Sequence, residues 1–273
     1  METITRRLAA RFGAEPDESE LRLNSVIEQL LAHRSVRAFR ADPLPEQTLP
    51  TMIAAAQSAA TSSNLQAYSI IAVQDAARKE RLSRLAGDQR HIRDCPLFLL
   101  FVADLSRLDR VAARLGEEAG ANPFLEMFIV ALVDAALAAQ NAVIAAESMG
   151  LGTVYIGGMR NQPEAVRDEV GLPPRAFVSF GLCVGWPDSA RPAAIKPRLA
   201  SASILHHERY GGGEGEAVEI DAYDQRMRVF QGEQSMAEVG WTGQAAARVA
   251  GAGTLSGRDR IRDALESLGF ELR

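Results

Sequence analysis

Between residues 125 and 149, Leu125, Phe128, Ile129, Leu132, Val133, Leu137, Ile144 and Met149 recur at spacings of three and four, and alanine fills much of the remaining circumference. The pattern predicts one long helix, apolar almost all the way round and therefore buried on most sides. Gly150 follows at the position where a left-handed residue ends a helix. Such a helix needs other apolar elements around it, and the sequence supplies strands. Tyr68 to Val73 is β-branched and aromatic, Pro96 precedes Leu97 to Ala103, and Thr153 to Ile156 is short. Ala176 to Val184 is apolar almost throughout, which predicts a central strand.

Shorter helices are signalled at their ends. Asn24 reads as the N-cap of an amphipathic helix carrying Val26, Ile27, Leu30 and Leu31 that stops near His33. Pro45-Glu46 opens a second, which the alanine-rich run continues through Ala60 and Thr61-Ser62-Ser63-Asn64 terminates. Asp75 caps a short charged helix, and Pro163 to Val170 makes another. After Trp186 the chain turns proline-rich, then glycine-rich at 211 to 213, then helical near Asp221 to Gln231 and Arg258 to Leu268. This tail reads as an arm rather than a second domain.

Composition narrows the function. With 30 Lys+Arg against 35 Asp+Glu among 273 residues, the net charge is −5, and no broad basic face for nucleic acid is expected. Leu97 to Ala103 and Phe177 to Val184 are strand length, far short of the roughly 18 residues a membrane span requires. The first seven residues lack the apolar stretch of a signal peptide. Cys95 and Cys183 sit in apolar segments without metal-ligand spacing, so two buried thiols in a reducing cytoplasm are expected. No GxGxxG follows the first strand, no GxxxxGK[ST] occurs, and Ser179-Phe180-Gly181 is not a nucleophile elbow.

What remains is positive charge gathered at two places. His33-Arg34-Ser35-Val36-Arg37 leaves a helix in extended form, which places His33, Ser35 and Arg37 on one face. That donor set suits a phosphate ester, although a solvated basic helix end would read the same way. Pro197 imposes extended geometry on Lys196, so Lys196 and Arg198 project to one side, as an anion site or as an ordinary charged loop. Gly157-Gly158 directly after a strand suits close approach of the backbone to a flat ligand, or simply a tight turn. An anion cradle without an acid, base or nucleophile constellation leaves the chemistry to a cofactor.

In order along the chain, His33-Arg34-Ser35-Val36-Arg37-Ala38-Phe39, Thr61-Ser62-Ser63-Asn64-Leu65-Gln66, Gly87-Asp88-Gln89-Arg90-His91 and Ala139-Gln140-Asn141-Ala142 resemble the motifs of the nitroreductase superfamily. The resemblance continues through Ala145 to Gly152, Tyr155-Ile156-Gly157-Gly158, Gly181 to Pro187 and Lys196-Pro197-Arg198-Leu199. It points to the oxygen-insensitive NADPH nitroreductase and NADPH-flavin oxidoreductase branch. It implies an α+β fold with a mixed, mainly antiparallel sheet among helices, in a cytoplasmic homodimer that exchanges C-terminal arms. The implied organisation is an N-terminal extension over 1–21, an FMN-binding core over 22–210 and an arm over 211–273.

The resemblance further implies that His33, Arg34, Ser35 and Arg37, with Lys196 and Arg198, hold the FMN phosphate and the polar edge of the ring. Within that set His33 and Arg34 lie toward the phosphate and Arg37 toward the pyrimidine edge. Tyr155, Gly157 and Gly158 line the ring, and Ser62, Ser63 and Gln89 complete the pocket, some of them from the other subunit. The implied reaction is ping-pong: NADPH or NADH reduces the FMN and leaves, and a nitroaromatic, quinone, azo compound or flavin takes two electrons, with no metal and no protein group forming a bond. A flavin-binding carrier or sensor with little turnover is the alternative. The tail departs from the branch, since residues 232–241 read Gly-Glu-Gln-Ser-Met-Ala-Glu-Val-Gly-Trp where an arginine-rich stretch for the NADPH 2′-phosphate is expected.

Overall fold

The structure is a computed structural model that describes residues 4–13, 21–211 and 215–273. Glycines 212 and 213 and most of the second half of the N-terminal extension, residues 14–20, lie outside the described residues. In chain order the elements are α1 (Ile4–Phe12), α2 (Ser25–Leu31), α3 (Thr48–Gln57), β1 (Tyr68–Val73), α4 (Ala76–Leu85), α5 (Arg90–Asp94), β2 (Leu97–Asp104), α6 (Ser106–Arg114) and α7 (Leu125–Ser148). After them come β3 (Gly152–Ile156), α8 (Pro163–Val170), β4 (Ala176–Gly185), α9 (Glu216–Glu233), α10 (Gly240–Arg248) and α11 (Ile261–Ser267). The chain forms two compact units, Met1–Arg34 with Ala193–Thr254 and Ser35–Pro192 with Leu255–Arg273.

The second unit holds the sheet. Its order is β1-β2-β4-β3 and every neighbouring pair is antiparallel, while Ser35 adds a single parallel bridge to Thr153. The α+β class with a mainly antiparallel sheet thus holds. All of β2 is buried, as is all of β4 except half-buried Phe180, so the two most apolar runs occupy the centre. Met52 and Ala56 of α3, Leu97, Leu99 and Phe101 of β2, and the alanines of α7 form the main core. Leu265, Leu268 and Phe270 close a second cluster over Ala103 and Phe177, so the end of the chain belongs to this unit's interior.

The long helix runs as its periodicity predicts, but it is not buried on most sides. Ala131, Ala135, Ala138, Ala139, Ala142 and Ala146 are fully buried, whereas Leu125, Ile129, Val133 and Leu137 are each at least 40% exposed. Small side chains let the helix axis come close to the sheet, and the bulky stripe is left on the outside of this chain. By length and mean hydropathy (1.9) α7 would suffice to span a bilayer, but its alanine face is packed into this core. Gly150 adopts φ +79° and Leu151 N–H reaches back to the Ala146 carbonyl, closing the helix as expected.

Other departures are local. The second predicted helix begins at Thr48 and not at Pro45, because Thr48 N–H bonds the Pro45 carbonyl in a turn ahead of the helix. It stops at Gln57, where the Ser58 hydroxyl donates to the Ala54 carbonyl. The first unit packs Tyr223, Met227 and Phe230 of α9 against Ala194, Leu199 and Trp241. Asp224 anchors α10 there by accepting from both the backbone and the hydroxyl of Thr242, each at 2.7 Å.

Candidate cofactor site

In the first unit, α2 is set by its cap: Asn24 Oδ1 accepts from the N–H groups of Val26 and Ile27, both at 3.0 Å. The helix ends at Leu31, which delivers His33 and Arg34, both half-buried, in non-helical backbone. Buried Ile195 and Pro197 seat the other basic segment, and the Tyr223 hydroxyl donates to the Pro197 carbonyl at 3.2 Å. Lys196 between them is half-buried; Arg198 is exposed and turns back to donate to the Lys196 and Pro197 carbonyls. Arg11 of α1 donates to carbonyls of both segments, at Leu31, His33 and Lys196. The structure therefore gathers His33, Arg34, Lys196 and Arg198 around one tie.

In the second unit, Ser35 pairs with Thr153, and Val36 N–H bonds the Thr153 carbonyl at 2.9 Å. Val36 and Ala38 are buried and Arg37 is exposed, the alternation that extended backbone imposes. β3 then runs into a 3-10 turn, Gly157–Arg160. A Cβ at Gly158 would lie 2.5 Å from the Ala86 carbonyl oxygen and 2.6 Å from Gln89 Nε2, which itself donates to that carbonyl at 2.8 Å. Gly158 and Gln89 are thus brought together through α4's end.

Burial first, and then the positive charge of Arg37, lower the His91 pKa, which keeps the imidazole neutral at pH 7. His91 Nε2 is buried with no hydrogen-bond partner among the described residues. Tyr155 stands edge-on to Phe180 at 5.3 Å, and its hydroxyl donates to Gln140 at 3.4 Å. Burial, and then Glu147, push its phenol well above the usual range, so it stays protonated. Arg160 and Arg258 approach Gly157, within 3.4 and 3.7 Å of where its Cβ would be. The sequence reading missed both: Arg160 closes the same turn, where it carried no motif, and nothing local joins a turn at 157 to Arg258 a hundred residues later.

Ser62 and Ser63 lie on the loop entering β1, with Ser63, Asn64 and Gln66 all at positive φ. Asp134 of α7, 1% exposed, accepts from Ser62 N–H at 3.0 Å and Ala67 N–H at 3.1 Å. It too escaped the sequence reading, since an aspartate inside an apolar helix shows no partner 67 residues away. β1 and β3 are the two edges of the four-stranded sheet. Ser62 and Ser63 therefore enter one edge and Gly157 and Gly158 leave the other, about 14 Å across at ordinary strand spacing.

Each unit by itself carries residues that suit one part of the FMN that the sequence resemblance implies. An imidazole, two guanidinium groups and an ammonium suit a dianionic phosphate, through charge-assisted hydrogen bonds. The orphaned His91 nitrogen and the glycine backbone after β3 suit the polar edge and flat face of a ring.

Known proteins resemble the chain over most of its length. A model described as the nitroreductase family matches residues 30–186, and one described as that family's C-terminal domain matches 196–273. The FMN reductase (NADPH) of Bacillus subtilis is 44% identical over 189 residues, 69% of this chain and 75% of its own. The NADPH-flavin oxidoreductase of Vibrio harveyi is 38% identical over 208 residues, 76% of this chain and 83% of its own. The structure of a hypothetical oxidoreductase from Bacillus subtilis superposes with a TM-score of 0.86 at 35% identity, covering 92% of this chain and all of its own.

Proposed function

The chain belongs to the nitroreductase family, and from that premise we propose that it is an FMN-dependent NAD(P)H oxidoreductase that reduces nitroaromatics, quinones or flavins by a ping-pong, two-electron cycle. The observation that carries the reading is the tie between the His33-Arg34 and Lys196-to-Arg198 segments, which concentrates cationic donors in an otherwise acidic chain whose relatives are named flavin oxidoreductases. FMN, when bound, supplies the redox chemistry between NAD(P)H and the acceptor.

The protein's own residues bind and orient. His33, Arg34, Lys196 and Arg198 take the phosphate, and Ser35, Arg37 and Gln89 take the polar edge of the ring. Arg37 puts positive charge where reduction places negative charge, a fixed electrostatic contribution. Gly157 and Gly158 let the backbone approach closely, and Tyr155, protonated throughout the working pH range, remains a neutral donor beside them.

Anaerobic addition of NADPH, and separately NADH, to the purified yellow protein is expected to bleach the flavin with at least one of them and to reveal the preferred donor. A flavin that stays oxidised with both would sink the enzyme reading in favour of a carrier. In the same titration, Arg37→Ala should bleach more slowly than wild type; an unchanged rate would remove Arg37 from its assigned place.

Ser62 and Ser63 enter the opposite sheet edge from Gly157, and the bulky stripe of α7 is exposed, so a second copy of the chain is the proposed source of the two serines. The arm that reaches the partner is then drawn from residues before 255, because Leu265, Leu268 and Phe270 are buried in their own unit. Placing two charges in the α7 stripe, Ile129→Glu with Leu137→Glu, should convert a dimer to monomer in sedimentation and release FMN. A double variant that stays dimeric would exclude this face. Both cysteines are free and buried, in keeping with a reducing, cytoplasmic setting.

A further inference from the structure

Residues before 30 lie outside both family models, yet α1 is tied directly to the phosphate-binding segments. Only Leu8 and Arg11 of α1 are buried, Leu8 completely and Arg11 to 5% exposure. Arg11 Nη1 donates to the Lys196 carbonyl at 3.0 Å; Nη2 donates to Leu31 at 3.1 Å and to His33 at 2.8 Å. The Arg11 carbonyl in turn accepts from Arg198 N–H at 2.7 Å. Three of these four bonds fall on the backbone of His33, Lys196 and Arg198, and the fourth on the last residue of α2.

The physical demand is clear from each side. The carbonyls at the end of α2 have no intrahelical donors, and proline at 197 offers no N–H with which to pair the second segment to the first. A planar guanidinium presents five donors in a fixed fork, so one side chain serves both segments at once. Lysine, a single point charge, cannot hold that geometry. Leu8, one turn earlier on the same face, and Arg7, which donates to the Glu28 carbonyl at 3.2 Å, hold α1 in place.

We infer that Arg11 is a positioning residue for the cofactor phosphate: through it the N-terminal extension fixes the spacing of the His33-Arg34 and Lys196-to-Arg198 segments. The inference rests on the reading that these segments take the FMN phosphate, and the test separates the two. Full-length protein stripped of flavin is titrated with FMN and with riboflavin, which lacks the phosphate, following quenching of flavin fluorescence. Arg11→Ala should lower FMN affinity about tenfold, the lower end of the loss seen when a partner that orients a binding group is removed, and leave riboflavin affinity unchanged. Arg11→Lys, which keeps charge and stem, should fall between; it carries the test alone if Arg11→Ala does not fold.

Lys196→Ala combined with Arg198→Ala must also erase the preference for FMN over riboflavin; if it does not, the phosphate assignment itself is wrong. If that double variant loses the preference while the Arg11 variants keep it, the positioning role is overturned. An equal loss of FMN and riboflavin in the Arg11 variants overturns it as well, since general loosening of the fold would not distinguish the two ligands.

Discussion

Replacing Gly158 by alanine is expected to lower the melting temperature by about 6–12 °C, whereas the same change at adjacent Gly157 costs at most about 1 kcal/mol. The difference lies in what each new methyl would meet. At Gly158 it would sit 2.5 Å from the Ala86 carbonyl oxygen, a backbone atom that cannot swing aside, and 2.6 Å from Gln89 Nε2. Relief requires moving the turn and breaking the Gln89–Ala86 hydrogen bond, which together cost about 3 kcal/mol. At Gly157 the nearest atom is the tip of the Arg160 side chain at 3.4 Å, and a flexible end can shift by a few tenths of an ångström. Gln89 is assigned to the FMN ring edge, so Gly158→Ala should also release flavin on gel filtration. Equal melting temperatures for the two variants would mean that the turn after β3 is not packed on Ala86 and Gln89.

Where structure is dictated locally, it was legible in the sequence. β1 has the expected bounds, β2 and β4 run one residue beyond theirs, and Asn24, Asp75 and Pro163 open helices as their side chains require. α7 shows where periodicity stops informing. Bulky residues and alanines both recur at three and four along it, and the pattern alone does not say which stripe faces the sheet. Close approach of helix to sheet chose the alanines.

The site was legible through its motifs and not through its supports. Arg11, Asp134 and Arg258 act on residues up to 185 positions away, and a polar side chain carries no local mark of such a partner. The distribution of the assigned pocket residues over both sheet edges was equally invisible, because strand order is set by topology rather than by the composition of any strand.

Asp134 is the support with the largest expected consequence. Its carboxylate bridges the N–H groups of Ser62 and Ala67, and between them Ser63, Asn64 and Gln66 hold left-handed backbone angles that non-glycine residues adopt at a cost of about 1–3 kcal/mol each. Such a loop persists only when its surroundings over-determine it. Asp134→Ala removes two charge-assisted hydrogen bonds and leaves a buried N–H at Ala67 without its acceptor, a loss of about 4 kcal/mol. The melting temperature should fall by about 8–16 °C. Asp134→Asn is the sharper test, since the shape is kept but one of the two acceptors becomes a donor facing an N–H. It should lose about half as much stability and still free the loop. Amide hydrogen exchange reads this directly, with Ser62 and Ala67 expected to exchange faster in Asp134→Asn while the amides of β2 and β4 keep their protection. If exchange at Ala67 were unchanged, the carboxylate would not be what holds Ser62 and Ser63 in place, and the strain in the loop would need another source of support.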